Sequence, residues 1–166
     1  VFMFLGGVNF SLIYNALSGK IRVLWENEVL RWYVLLCCIG TLICFGDLFY
    51  RGENSNVIDC LLDSLFHIVA TITTTGFSVE NYSWGQFSMM VLMLLMISCA
   101  CAGSTSGGLK IDRMAVMLKN VKNEFIKALH PNQVTSVRLN GKVVPYAHVQ
   151  RVIAFLVIFT LILGVS

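Results

Sequence analysis

Thr73-Thr74-Thr75-Gly76-Phe77-Ser78 is the stretch whose reading decides the fold. A mostly apolar run, residues 58–72 (IDCLLDSLFHIVATI), leads into it, and a longer apolar run leaves it from residue 85. As a helix the leading run would measure roughly 22 Å, short of a hydrocarbon core of roughly 30 Å. Three threonines then crowd the backbone, and Gly76 frees it to adopt a positive φ. The reading is a chain that dips into a bilayer, turns, and returns on the same side. Such a turn exposes backbone carbonyls, tolerated at membrane depth only where protein buries them or a water-filled path runs past them. Carbonyls facing such a path can replace the water around a cation. Taken alone, TTTG also reads as a helix C-terminus with a capping glycine. The surrounding layout decides between the two.

Composition agrees with a bilayer. Hydrophobic residues make up 57% of 166 positions, charged residues 13%, and there are two prolines. The mean hydropathy is +0.76. These values point to a polytopic, all-α integral membrane protein. Apolar segments recur along the whole chain, which a secretory signal peptide does not explain. The chain begins at Val1 rather than Met and ends within an apolar run at Ser166, so it reads as a piece of a longer protein. Cys37, Cys38, Cys44, Cys60, Cys99 and Cys101 show no metal-ligand spacing and are expected to be small buried hydrophobes.

Outward from the central stretch, the elements follow from apolar runs and breakers. Residues 1–17 look like the lower part of a membrane helix, stopped by Ser18-Gly19-Lys20. Residues 20–28 read as a short polar linker. Residues 29–50 are long enough to span, with Trp32, Tyr33, Phe49 and Tyr50 near the ends as an aromatic belt. Residues 51–57 form a polar loop. Asp59 and Asp63 sit in the first half of the short helix, where carboxylates suit its positive end. His67, further along it, reads as a packing or hydrogen-bonding residue rather than a ligand. Residues 79–84 (VENYSW) return to the surface and include the sequon Asn81-Tyr82-Ser83, and residues 85–101 descend again.

That run breaks at Ala102-Gly103-Ser104-Thr105-Ser106-Gly107-Gly108. A helical pattern resumes from Leu109 to about Leu129. Met114, Leu118, Val121, Phe125 and Leu129 make its apolar stripe. His130-Pro131-Asn132 ends it. A polar linker follows, with a turn signal at Leu139-Asn140-Gly141-Lys142, and an apolar helix begins at Pro145.

Charge placement tests this layout. Place the loop at 51–57 and the return at 79–84 on one side. Then Lys20, Arg22, Arg31, Lys110, Arg113, Lys119, Lys122, Lys127, Arg138, Lys142 and Arg151 all fall toward the other. Of the twelve basic residues only Arg51 remains on the first side. By the positive-inside rule the basic side is the cytoplasm, so the turn at 73–78 opens outward. A full span at 58–78 would spoil the asymmetry. With a half-helix aiming its negative end at the loop, a cation is the favoured occupant. Aligned on the glycine, Thr74 to Ser78 parallels the TVGYG potassium filter.

The second break suits a broken helix that can move, because its small residues have weak helix preference. Close helix packing through small residues is the plainer alternative. Gly103 and Gly108 have the spacing of a phosphate-binding loop, but Leu109 stands where that motif needs lysine. Lys110 has two readings: a charge that tunes the pore beside the break, or a side chain that snorkels to the cytoplasmic face.

Four stretches together carry a family resemblance: TTTGFS (73–78), CAGSTSGGLKIDR (101–113), GGVNF (6–10) and VLRWY (29–33). On these the chain resembles a pore subunit of the bacterial Trk/Ktr/HKT potassium-transporter superfamily, closest to the Trk type. The resemblance implies four concatenated helix–re-entrant pore loop–helix units of a potassium-channel-like fold. Residues 1–19 would end one unit, residues 28–130 would form a complete unit resembling the third, and residues 143–166 would begin the next. It implies filter carbonyls on Thr74, Thr75, Gly76 and Phe77, and a gate at Ala102 to Gly108. It implies potassium as substrate without a cofactor, and residence in the bacterial cytoplasmic membrane. Partners implied are the other pore units, a second copy as homodimer, a cytosolic nucleotide-binding regulatory subunit and the lipid bilayer, with no nucleic acid. No paired carboxylates or nucleophile–base set suggest an enzyme. Two rivals stand beside this reading: an alternating-access transporter, which also uses broken helices, and a non-conducting membrane scaffold.

Overall fold

The computed structural model describes residues 1–20, 22–51, 56–78, 84–98, 100–129 and 137–165. Most of the loop at 51–57, most of the return at 79–84 with its sequon, Cys99, and the stop at His130-Pro131-Asn132 lie outside the described residues. The chain divides into two compact units, Val1–Ile111 and Asp112–Ser166.

The first unit is built on α4, Glu28–Arg51, a 24-residue helix long and apolar enough to cross a membrane. Before it come α1 (Phe2–Gly6), α2 (Phe10–Leu17) and α3 (Arg22–Glu26); after it come α5 (Val57–Ile72) and α6 (Gln86–Ser98). Helix α4 packs along both α5 and α6. Tyr33, Cys44 and Leu48 of α4 and Cys60, Ile68 and Ile72 of α5 are all buried. Gly40 lets the three helices approach. A Cβ there would sit 2.9 Å from Leu95 Cδ1 and 3.1 Å from Ile68 Cδ1. Between helices in a bilayer such a contact is held by close van der Waals packing around small residues rather than by removal of apolar surface from water.

Three expectations for the first unit need correction. Residues 1–17 are not one helix: the chain breaks after Gly6 and restarts at Phe10. Asn9 caps the restart, its Oδ1 accepting from the Ser11 N–H at 2.8 Å. Gly7 lies against the Tyr33 hydroxyl, with Thr73 Cγ2 2.9 Å from where a Cβ would be. The polar linker at 20–28 contains the short helix α3, with an Arg22–Glu26 ion pair one turn apart. Asn27 then starts α4 by accepting the Leu30 N–H at 3.1 Å. Cys38 also departs from expectation, since it is exposed, while Cys37, Cys44, Cys60 and Cys101 are buried.

The second unit holds most of α7 (Ile111–Leu129), a small antiparallel hairpin of β1 (Arg138–Leu139) and β2 (Lys142–Val143), and α8 (Tyr146–Val165). The hairpin corrects the strictly all-α expectation. Its turn is the one signalled by Asn140-Gly141, with φ of 50° and 75°, as a two-residue type I′ turn requires. Val116, Val137 and Val149 form its core, with Leu139 and Val144 against them. Arg113 stacks its guanidinium 4.1 Å from the centre of the Phe155 ring. Of the apolar stripe of α7, Leu118, Val121, Phe125 and Leu129 are exposed, while Ala115 and Val116 are buried. The buried pair lies off the stripe, where the hairpin packs. Helix α8 is long and apolar enough to span.

Candidate functional site

Helix α5 is 16 residues long, about 24 Å at 1.5 Å per residue. Asp59 lies in its first turn and accepts from Asn56 Nδ2 at 2.9 Å. Its last turns are bound by hydroxyls. Thr71 Oγ1 donates to the His67 carbonyl and Thr73 Oγ1 to the Val69 carbonyl, both at 2.7 Å. His67 is buried, with its ring edge-on to Trp84 at 4.9 Å between centroids, which is the packing role expected of it.

The helix ends in a Schellman motif. The Thr75 N–H reaches the Ala70 carbonyl at 2.9 Å, and the Thr74 N–H reaches the Thr71 carbonyl at 3.1 Å. The left-handed residue that closes it is Thr74, with φ 54°. A glycine usually stands there. A β-branched residue at positive φ is strained, and such strain clusters at functional sites. Gly76 is left-handed too, with φ 75°. The turn thus carries two left-handed residues, only one of which the sequence signalled.

These two turns expose Thr74, Thr75, Gly76 and Phe77. Among the described residues, none donates a hydrogen bond to the carbonyl of any of the four. Thr73 is buried, and its Oγ1 lies 2.6 Å from that of Thr75. A hollow of about 250 Å³ beside the turn is lined by Ala70, Thr71, Thr74, Gly76, Phe77 and Met96.

The second break is irregular from Cys101 to Lys110. Ser106 is buried, Ala102 and Ser104 are half-buried, and Gly103, Thr105, Gly107 and Gly108 are exposed. Ser104 Oγ donates to the Cys101 carbonyl at 2.6 Å and lies 2.8 Å from Ser106 Oγ. Gly103 and Gly108 have φ of 75° and 71°. Lys110 is half-buried at the exit of the loop. The end of the loop bonds back to α6 through the Leu109 N–H on the Ile97 carbonyl at 3.3 Å, and α7 begins with the Ile111 N–H on the carbonyl of Ala100, just past α6, at 3.1 Å.

The structure brings the two stretches together. The Gly107 N–H donates to Thr74 Oγ1 at 3.1 Å. Two further residues mattered to which the sequence reading gave no role. Asn9, seen only as part of GGVNF, donates from Nδ2 to the Ala102 carbonyl at 2.6 Å. Asp47, near the end of α4, accepts the Gly85 N–H at 2.8 Å and pairs with Arg51 Nε at 3.3 Å. A lone carboxylate inside an apolar run was the signal available for it.

Taken together these features define a class: a helical chain with spans of membrane length and two broken-helix loops in contact. The chain belongs to the TrkH family, described as cation transport protein, whose profile matches residues 1–166. It is 28% identical over 168 residues to the Trk system potassium uptake protein TrkH of Escherichia coli K12, covering 100% of this chain and 35% of that protein. It is 28% identical over 162 residues to TrkG of the same organism, covering 96% of this chain and 33% of that protein. The crystal structure of the potassium transporter TrkH from Vibrio parahaemolyticus superposes with a TM-score of 0.90 at 25% identity, over 99% of this chain and 36% of that one. The chain thus spans about a third of the length of the curated relatives it matches.

Proposed function

We propose that this chain contributes one helix–re-entrant pore loop–helix unit, residues 28–130, to a potassium uptake pore. The observation that carries the reading is the run of four exposed residues, Thr74 to Phe77, whose carbonyls accept no backbone hydrogen bond among the described residues, held by two left-handed residues at the end of a short helix. Oxygen ligands of that kind can replace the hydration shell of a potassium ion without any side-chain charge. The names of the relatives, Trk system potassium uptake proteins, support potassium as the ion. The length of α5, the outward-opening charge pattern and the contact with α6 support the re-entrant path.

The loop from Ala102 to Gly108 is the gate in this reading. Its support is its position against Thr74 and its lack of regular structure. Lys110, at its exit, then faces the inner side of the path. Residues 1–19 close the preceding unit and residues 143–166 open the following one. One turn cannot surround an ion, so the other pore units of a longer chain complete the filter. The assembly proposed is a homodimer in the bacterial cytoplasmic membrane, regulated by a cytosolic nucleotide-binding subunit. Ion passage needs no chemical step and no cofactor.

The test is Gly76→Asp in the full-length chain, reconstituted in vesicles. Asp strains the φ of 75° and puts a carboxylate into the ring of carbonyls. Loss of potassium-selective flux with normal insertion is expected. Unchanged flux and selectivity would remove the filter assignment. For the gate, deletion of Gly103 to Gly107 is expected to raise flux or abolish its regulation, and ordinary regulated flux would contradict it.

A further inference from the structure

In the first unit regular helix is interrupted after Gly6 and again around Cys101, and these two interruptions satisfy each other. The Cys101 N–H donates to the Gly7 carbonyl at 3.1 Å, and the Phe10 N–H to the Gly103 carbonyl at 3.2 Å. The Thr105 N–H and Oγ1 both reach the Gly6 carbonyl, at 3.3 and 3.2 Å. Asn9 Nδ2 adds the shortest of these bonds, to the Ala102 carbonyl at 2.6 Å. A broken helix leaves amides and carbonyls that an apolar medium cannot satisfy. Here each break supplies the partners the other lacks. Gly103 lies flat on Asn9: a Cβ there would fall 2.9 Å from Nδ2 and 3.1 Å from Cγ.

Asn9 therefore holds two roles at once. Its Oδ1 caps α2 through the Ser11 N–H, and its Nδ2 grips the loop. We propose that Asn9, with the Gly6 and Gly7 carbonyls, is the latch that holds the 102–108 loop shut. The inference rests on reading that loop as the gate. Leaving the cradle strips five hydrogen bonds from groups that only water can then satisfy, so the loop moves when its surroundings are wetted. Asn9 acts on flux by positioning the loop and touches no ion.

Two substitutions separate the latch from the cap. Asn9→Asp keeps a good N-cap for α2 but loses the donor to Ala102 and sets a carboxylate against that carbonyl. Asn9→Leu loses both roles. In the full-length chain reconstituted in vesicles, with flux normalised to inserted protein, both variants are expected to raise potassium flux about fivefold, the scale of one net hydrogen bond. The potassium-to-sodium ratio is expected to stay at the wild-type value, because the filter turn is untouched. Wild-type flux in Asn9→Asp would reduce Asn9 to a helix cap and overturn the latch, as would a changed ion ratio without a gain in flux. Thr105→Val, which removes one hydroxyl contact to Gly6, decides the matter if the Asn9 variants do not insert: raised flux supports the latch and unchanged flux rejects it. If deletion of Gly103 to Gly107 raises flux while all three point variants behave as wild type, the gate stands and the latch falls. If the deletion itself leaves flux ordinary and regulated, the gate reading fails first.

Discussion

Thr74 Oγ1 accepts the backbone N–H of Gly107 at 3.1 Å, so the turn after α5 and the loop before α7 share a hydrogen bond across 33 residues of sequence. Thr74 holds this position in a left-handed conformation, φ 54°, that a β-branched side chain disfavours. Thr74→Ser keeps the acceptor and sheds the branch. Thr74→Val keeps the branch and takes the side-chain partner from the exposed Gly107 amide, at a cost of about 0.5–1.5 kcal/mol, the net worth of one hydrogen bond. Thermal unfolding of the full-length chain in detergent is expected to rank Ser at or above wild type and Val below it. Val equal to or above Ser would show that the hydroxyl contact does not matter.

The close fit of Gly7 under Tyr33 gives a second expectation. A Cβ at Gly7 meets the Tyr33 hydroxyl and comes within 2.9 Å of Tyr33 Cζ and Thr73 Cγ2. Tyr33 is fully buried and donates to the Phe4 carbonyl at 3.1 Å, so it has little room to retreat. Gly7→Ala is therefore expected to destabilise by about 1–3 kcal/mol, the usual scale of overpacking. Tyr33→Phe in the same chain removes the nearest atom and is expected to recover part of the loss. Thermal melts of the two single variants and the double variant test this. A Gly7→Ala chain as stable as wild type would mean the packing yields freely.

At the other end of α4, Asp47 ties down the start of α6. Its carboxylate takes the Gly85 N–H at 2.8 Å, and a Cβ on Gly85 would run into that carboxylate. Asp47→Ala and Gly85→Ala damage one contact from its two sides. Their effects on stability are expected to be non-additive, with the double variant near the worse single one. A double-mutant cycle on melting temperature measures this, and additive losses would show that the two residues act separately.

The parts of the fold written in long apolar runs were legible. Helices α4, α5, α6 and α8 fall within a few residues of where hydropathy and breakers put them, because burial along a whole helix depends on composition more than on any one neighbour. What escaped was set by distant partners. The break between α1 and α2 exists because Tyr33 and Thr73 crowd Gly7 and because the 101–105 loop takes up its backbone groups. Gly6-Gly7 and Asn9 are local signals of a break, but they do not say which distant groups will take up the backbone it frees. The stripe of α7 announced its helix, but spacing does not say what covers a face, and the stripe is exposed. The turn at 73–78 was recognised from Gly76, while the strain fell on Thr74, where no sequence rule would place it.

The hairpin of the second unit carries the last expectation. Its turn depends on Asn140 and Gly141 both at positive φ, 50° and 75°. Gly141→Ala forces an L side chain into that region at about 1–2 kcal/mol. Asn140→Val adds a β branch where Asn is tolerated. The strands are two residues each, so little else opposes their separation. The Val144 N–H, bonded to the Val137 carbonyl at 2.8 Å, reports on closure. Its amide exchange is expected to speed up about fivefold to thirtyfold in either variant, following the lost 1–2 kcal/mol. Lys119 Nζ, which donates to the Arg138 carbonyl at 2.8 Å, joins the hairpin to α7. Lys119→Met should therefore speed exchange at Val144 by a smaller factor. Exchange at Val144 that ignores all three changes would mean that the valine core formed by Val116, Val137 and Val149 holds the hairpin without help from its turn.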